Sequence, residues 1–348
     1  MAKVGVIGTG WGARVQVPIF REAGLEVVAI AGHDREKTRK TAAELSVEPL
    51  EWQQLIARPE IDLVTIATPP SEHVKMATAA LDANKHVLCE KPTALNAAEA
   101  ERLVSAAERH GDRIALVDHE LRFVPAWQEA RERIGAIEPI RYVEARYSSP
   151  SWGDRSRPWK WWNDEKQGGG VWGAVGSHLI DAIRYLIGDI REAQALLHTF
   201  VRQRPANGGT RPVTADDFAA VHLRLATGSV ATLTCSAVAG GADEPNVVTI
   251  HGESAAMRLS GEELLFAKRG EPFARVAGGA MAKRPGNSMG GAFGTGTYHL
   301  ALALRAALDE GKRDALATAA TFRDGLEQQR VLDAARRSAQ HDGCWETV

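Results

Sequence analysis

Short apolar runs alternate with longer stretches rich in Ala, Glu, Lys and Arg over the first 118 residues. The runs at Lys3–Ile7, Leu25–Ile30, Ile61–Ala67, His86–Cys89 and Ile114–Val117 show no clean polar alternation. Such runs suit strands covered on both faces. Between them, Glu36–Leu45, Ser71–Ala83 and Ala97–His110 read as helices. Strand–helix alternation at this spacing predicts a parallel, doubly wound sheet.

The pattern changes beyond residue 118. Pro125–Ile134 reads as a helix and Ile140–Tyr147 as a strand. A triple glycine, Gly168-Gly169-Gly170, precedes a helical pattern over Val171–Ile187. Strand-like runs follow at Ala195–Val201, Phe218–Leu225, Ser229–Ala237, Val247–His251 and Leu264–Ala267. The tight link Ala226-Thr227-Gly228 predicts a hairpin, hence an antiparallel sheet. Gly278–Gly296, with seven glycines, reads as a loop, and helices are expected over Thr297–Leu308 and Ala317–Ser338. The domains are placed at 1–118 and 119–348, with the last helix able to return to the first.

A length of 348 residues suits two domains. The 42 Lys and Arg nearly balance 44 Asp and Glu, a formal charge of −2. This argues against affinity built on phosphate neutralisation, so no nucleic-acid partner is expected. No run of 18 apolar residues appears, so no membrane partner is expected. Neither a signal peptide nor a disulfide framework shows, and a cytoplasmic location is expected. Cys89, Cys235 and Cys344 are too scattered for a metal knuckle, and no metal is expected.

Gly8-Thr9-Gly10-Trp11-Gly12-Ala13 follows the first strand and opens a helix. It fits G-x-G-x-x-A, the turn that lets a dinucleotide pyrophosphate approach the backbone at a helix N-terminus. In this reading Ala13 keeps the helix close to the sheet. An NAD site usually places a carboxylate about 20 residues past the glycines. Here Gly32 occupies that place and His33-Asp34-Arg35 follow, with Lys37 and Arg39 beyond. Cationic groups suit a 2′-phosphate, which favours NADP(H) over NAD(H). Asp34 serves NAD if the strand ends later, and the basic residues equally suit a solvated helix face.

Further motifs fall at the ends of successive strands: Ala67-Thr68-Pro69-Pro70 with His73, then Glu90-Lys91-Pro92. With Gly168–Gly170, Gly176-Ser177-His178, Asp181 and the terminal Thr321-Phe322-Arg323-Asp324-Gly325, the chain resembles the glucose–fructose oxidoreductase, inositol dehydrogenase and MocA family over almost its whole length. The resemblance implies an α/β protein: an N-terminal Rossmann dinucleotide-binding domain plus a C-terminal α+β domain with an open, mainly antiparallel sheet. It also implies NAD(P)(H)-dependent hydride transfer on a sugar-like or cyclic polyol carbon, and a homodimer or homotetramer formed through the C-terminal sheet.

Such chemistry needs a proton relay from the protein. The resemblance gives Lys91 to the substrate hydroxyl and nicotinamide ribose, and His178 to acid/base exchange, for which an imidazole is suited near neutrality. It places Thr68, Pro69 and His73 on the adenosine and ribose side, and Glu90 beside the ribose or Lys91. Many relatives carry aspartate four residues before the histidine. Here that residue is Ala174. Lys91 and His178 alone suffice for a reductase; Asp164 or Glu165 is a possible replacement acid; a non-catalytic cofactor- and sugar-binding regulator, or a glycoside-cleaving enzyme, are the alternatives. Asp181 lies one turn beyond His178 on the same helix stripe.

Five of the nine tryptophans fall between 152 and 172. Trp161 and Trp162 are expected to line a sugar pocket, with His119 and Arg122 contributing from the crossover. Arg122 equally suits a salt bridge between the domains.

Overall fold

The computed structural model describes residues 1–241, 246–276 and 291–348. The chain forms two compact units. The first contains Met1–Ala94, Ala98–Val124 and, of its described later part, residues 291–326. The second contains Leu95–Ala97, the described part of 125–281, and Glu327–Val348.

The first unit holds β1 (Lys3–Ile7), β2 (Glu26–Ala31), β3 (Glu48–Leu50), β4 (Leu63–Ile66), β5 (His86–Cys89) and β6 (Ala115–Val117). Their order is β3-β2-β1-β4-β5-β6, all parallel, as in a doubly wound dinucleotide fold. The central strands are Val-, Ile- and Leu-rich and fully buried, as a sheet covered on both faces requires. Residues Ala320–Thr321 close the β6 edge antiparallel, where the sequence pattern predicted the start of the last helix. That helix runs instead over Phe322–Gln340.

The expected loop Gly278–Gly296 is corrected where it is described. Residues 291–296 begin the helix Gly291–Asp309, and 278–290 lie outside the described residues. Glycine content favours a loop, but close packing wins here. A Cβ on Gly296 would stand 2.2 Å from the Glu120 carbonyl. Leu300, Ala301 and Leu304 of this helix join Val4, Phe20 and Ile30 in one buried cluster.

Among the described residues, the second unit is built on a nine-stranded sheet. Its principal strands are β7 (Ile140–Ser148), β8 (Ile190–His198), β9 (Phe218–Leu225), β10 (Val230–Ser236), β11 (Asn246–Gly252), β12 (Ala255–Ser260) and β13 (Glu263–Lys268). Every pairing is antiparallel except β7 with β10. β8 starts five residues before the expected run, because Ile190, Ala193 and Ala195 already face the core. The predicted hairpin joins β9 to β10. Among the described residues no helix is long and apolar enough to cross a membrane.

Trp127, on the helix Pro125–Arg133, is 1% exposed and donates from Nε1 to the Gly261 carbonyl at 3.3 Å. Trp127→Ala is expected to lower stability by about 3–5 kcal/mol, read as an earlier thermal midpoint. An unchanged midpoint would show that this ring is not part of the second unit's core.

Candidate active site

The glycine turn leaves β1 at Gly8, whose φ is +145°. A Cβ there would lie 2.3 Å from the Ala67 carbonyl oxygen, so only glycine passes the end of β4. Ala13 N–H reaches back five residues to Gly8 O at 3.2 Å, a wide π-type turn of the kind that accumulates at functional sites. The space a Gly10 side chain would take is open. Gly12 shares the packing role expected of Ala13: a Cβ on it would meet Val6 at 2.8 Å, while Ala13 is buried. Trp11 is half-buried. An open backbone face at a helix start fits a pyrophosphate.

β2 ends at Ala31, one residue before Gly32. A Cβ on Gly32 would stand 2.7 Å from both Thr9 and Thr38 side-chain atoms, so no carboxylate side chain fits there. His33 is exposed. Asp34 caps the helix Arg35–Leu45, accepting the Lys37 N–H at 3.0 Å. Arg35 is exposed and pairs with Glu51 at 2.6 Å.

Thr68 and Pro69 follow β4, and His73 lies in the helix Pro70–Asp82. His73 is fully buried, with Nδ1 3.1 Å from Pro92 O and Nε2 2.9 Å from Thr68 O. Burial lowers its pKa to about 4, so the ring is neutral at ordinary pH and donates to one carbonyl at a time. It ties the loop after β4 to the loop carrying Lys91. The Thr68 hydroxyl is buried without a hydrogen-bond partner among the described residues.

Glu90 and half-buried Lys91 stand at the carboxyl end of β5, where open α/β sheets bind ligands. Gln16, which the sequence reading passed over, donates from Nε2 to Glu90 at 3.0 Å and to Asp118 at 2.9 Å. Its carbonyl accepts the Thr65 hydroxyl at 2.8 Å. Burial raises the pKa of both acids, and the Asp118 charge raises Glu90 further. A signal for Gln16 existed in its place on the glycine-turn helix; nothing local marked Asp118.

His119 and Arg122 are buried. Arg122 donates to Asp324 at 3.1 Å and to the Thr318 carbonyl at 3.5 Å. Burial opposes ionisation of Asp324, yet the Arg122 charge and the Thr321 hydrogen bonds hold its carboxyl below the usual range. The arginine is thus bonded to a residue of its own unit.

In the second unit, Gly170 has a φ of +109° and a Cβ there would lie 2.1 Å from Asp216 Oδ2. Asp216 accepts the Trp172 N–H at 2.8 Å and its carbonyl accepts the Val171 N–H at 2.9 Å. It therefore caps the helical stretch that carries His178. Burial pushes its pKa up to about 6. His178 and Asp181 are each 4% exposed on the helix Ser177–Leu186, and Ala174 is buried one turn before. Asp164 instead caps a short turn, accepting from Lys166 and Gln167, and Glu165 is exposed. Trp161 and Trp162 stack at 3.8 Å, and Trp159 packs under the Arg211 guanidinium at 3.4 Å.

A glycine turn, its strand order and a lysine at the sheet's carboxyl edge define a dinucleotide-binding α/β protein. Residues 2–119 match the model of the oxidoreductase family with an NAD-binding Rossmann fold, and 127–258 match the GFO/IDH/MocA C-terminal domain. The chain belongs to the Gfo/Idh/MocA oxidoreductase family. It is 33% identical to an uncharacterized oxidoreductase of Synechocystis, over 75% of this chain and 72% of that one. It is 30% identical to the Bos taurus glucose-fructose oxidoreductase domain-containing protein 2, over 99% and 93%. A levoglucosan dehydrogenase solved with NADH and levoglucosan superposes with a TM-score of 0.87 at 26% identity, covering 100% of this chain and 99% of that one.

Neutral His73 sets a pH dependence. Its folded pKa lies below the ordinary 6.5, so the unfolded chain binds more protons between these values and stability falls as pH falls. Denaturation midpoints are expected to decline from pH 6.5 towards 4, and less steeply in His73→Asn. Parallel slopes in the two proteins would exclude His73 as a source.

Proposed function

We propose that the protein is an NAD(P)(H)-dependent oxidoreductase acting on a sugar-like or cyclic polyol carbon. The observation that carries this reading is Lys91 at the carboxyl end of β5, in the unit whose glycine turn leaves an open backbone face at Gly10. A nicotinamide dinucleotide, when bound, supplies or accepts the hydride. Gly8, Gly10, Trp11, Gly12 and Ala13 would hold its pyrophosphate, with Thr68, Pro69 and Glu90 towards its ribose. Lys91 and His178 are assigned the proton. In reduction one of them gives a proton to the carbonyl oxygen; in oxidation one takes the hydroxyl proton.

Gly32 leaves no room for a ribose carboxylate, and Asp34 is engaged as a helix cap. Exposed His33 and Arg35 are better partners for a 2′-phosphate, so NADP(H) is the proposed form. Stacked Trp161 and Trp162 are offered to the substrate's C–H faces, with His119, Arg122 and Asp181 as further substrate-side residues. A homo-oligomer through the second unit's sheet, and a cytoplasmic location, complete the reading. Ala174 favours a second reading, a regulator that binds cofactor and sugar without turnover.

Lys91→Ala and His178→Ala are each expected to lower turnover by at least 100-fold while largely sparing cofactor affinity. Wild-type rates in both would discard the assignment. Calorimetry is expected to show tighter binding of NADPH than NADH; a clear NADH preference overturns the cofactor choice. A reduced cofactor that is never oxidised across a panel of keto-sugars, together with an oxidised one never reduced by polyols, would favour the regulator.

A further inference from the structure

The buried network behind Lys91 holds more acid than its surroundings can keep ionised. Gln16 Nε2 bonds Glu90 Oε1 at 3.0 Å and Asp118 Oδ2 at 2.9 Å. Two carboxyl oxygens held by one nitrogen lie within about 6 Å of each other. Asp118 is 1% exposed, and Glu120, 3% exposed, acts on Glu90 from the turn after β6. Asp118 is buried and Glu90 half-buried, and two like charges about 6 Å apart repel by about 3 kcal/mol at an effective dielectric near 20. Such repulsion between neighbouring carboxyls favours the state in which one of them keeps its proton.

Described groups from three neighbouring elements act on the pair. From the glycine-turn helix comes the neutral Gln16 amide. From β4 comes the Thr65 hydroxyl, which Gln16 accepts and which fixes the amide with its N–H groups towards the acids. From β5 come the Cys89 thiol, its pKa pushed up by burial, and the Lys91 ammonium, whose charge acts on both carboxyls. Among the described residues, the Lys91 charge favours ionisation of both acids, and the Glu120 charge opposes it at Glu90.

We propose that Glu90 and Asp118 are one proton-sharing carboxyl pair, fixed by Gln16, whose single charge positions Lys91. The pair touches neither substrate nor reacting atoms, so both are positioning residues. One proton lies between the two side chains, and its place is set by the Gln16 N–H groups. The pair titrates as a unit. This deepens the function proposed above and rests on it only for the purpose of Lys91.

Infrared difference spectroscopy of the cofactor-free protein at mildly alkaline pH tests it, where Asp216 is ionised. The wild type is expected to show the carbonyl stretch of a protonated carboxylic acid, shifted in heavy water. Both Glu90→Gln and Asp118→Asn are expected to lose that band, because a lone acid beside Lys91 ionises. Glu120→Gln is expected to keep it. A wild type without the band, or a band surviving in either single variant, overturns the pair. If one variant does not fold, by circular dichroism, the other gives the same difference. The spectrum needs no substrate, so absence of turnover with every sugar would refute the proposed function and leave the pair standing.

Discussion

A single side-chain amide joins the ends of four neighbouring strands. Gln16 sits on the helix that follows β1, accepts from Thr65 of β4, and donates to acids at the ends of β5 and β6. A parallel sheet collects its loops at one edge, where each chain must turn with its polar groups satisfied. Gln16, Thr65 and Asp118 are buried, so protein groups serve one another there. The result is a floor of fixed hydrogen bonds under the glycine turn and under Lys91. His73 does the same a layer away, between the Thr68 and Pro92 carbonyls.

The contacts on that edge are made by residues that lack atoms as much as by those that have them. A Cβ on Gly8 would lie 2.3 Å from Ala67 O, so the strand end passes there only without one. Gly170 likewise lets the chain pass Asp216, whose carboxylate then satisfies a helix start. Both helices begin with a wide turn, Gly12–Gln16 and Trp172–Gly176. In each unit, therefore, a close approach of backbone to a polar group precedes the helix that carries candidate chemistry.

Much of this was legible in the residues. Five of the six parallel strands show as apolar runs, because burial on both faces forbids polar positions. β3, reading Glu-Pro-Leu, does not, since an edge strand carries no such demand. The helix over 291–296 was hidden by its glycines, of which Gly296 packs against the Glu120 carbonyl. The glycine turn, Lys91 and His178 could be named from motif and order. Gln16 was marked only by its place on the glycine-turn helix, and the bonds made by Gln16, Asp118 and Asp216 could not be named, because they reach neighbours 49 to 102 residues away, or 44 in the case of Asp216. Asp34 carries the opposite lesson: the acid beside the expected ribose position closes a helix end.

The first unit is interrupted in the chain. Its core includes Leu300 and Leu304, and its sheet edge is closed by Ala320–Thr321, yet the described chain between Pro125 and residue 276 belongs to the other unit. A ribosome must therefore deliver nearly the whole polypeptide before this nucleotide-fold unit can complete its interior. Until then the cluster around Val4 and Phe20 waits with one wall missing. A gene fragment cut near residue 124 would express that unfinished state, and an intervening domain spliced out between residues 124 and 291 would be the shorter route to an autonomous one.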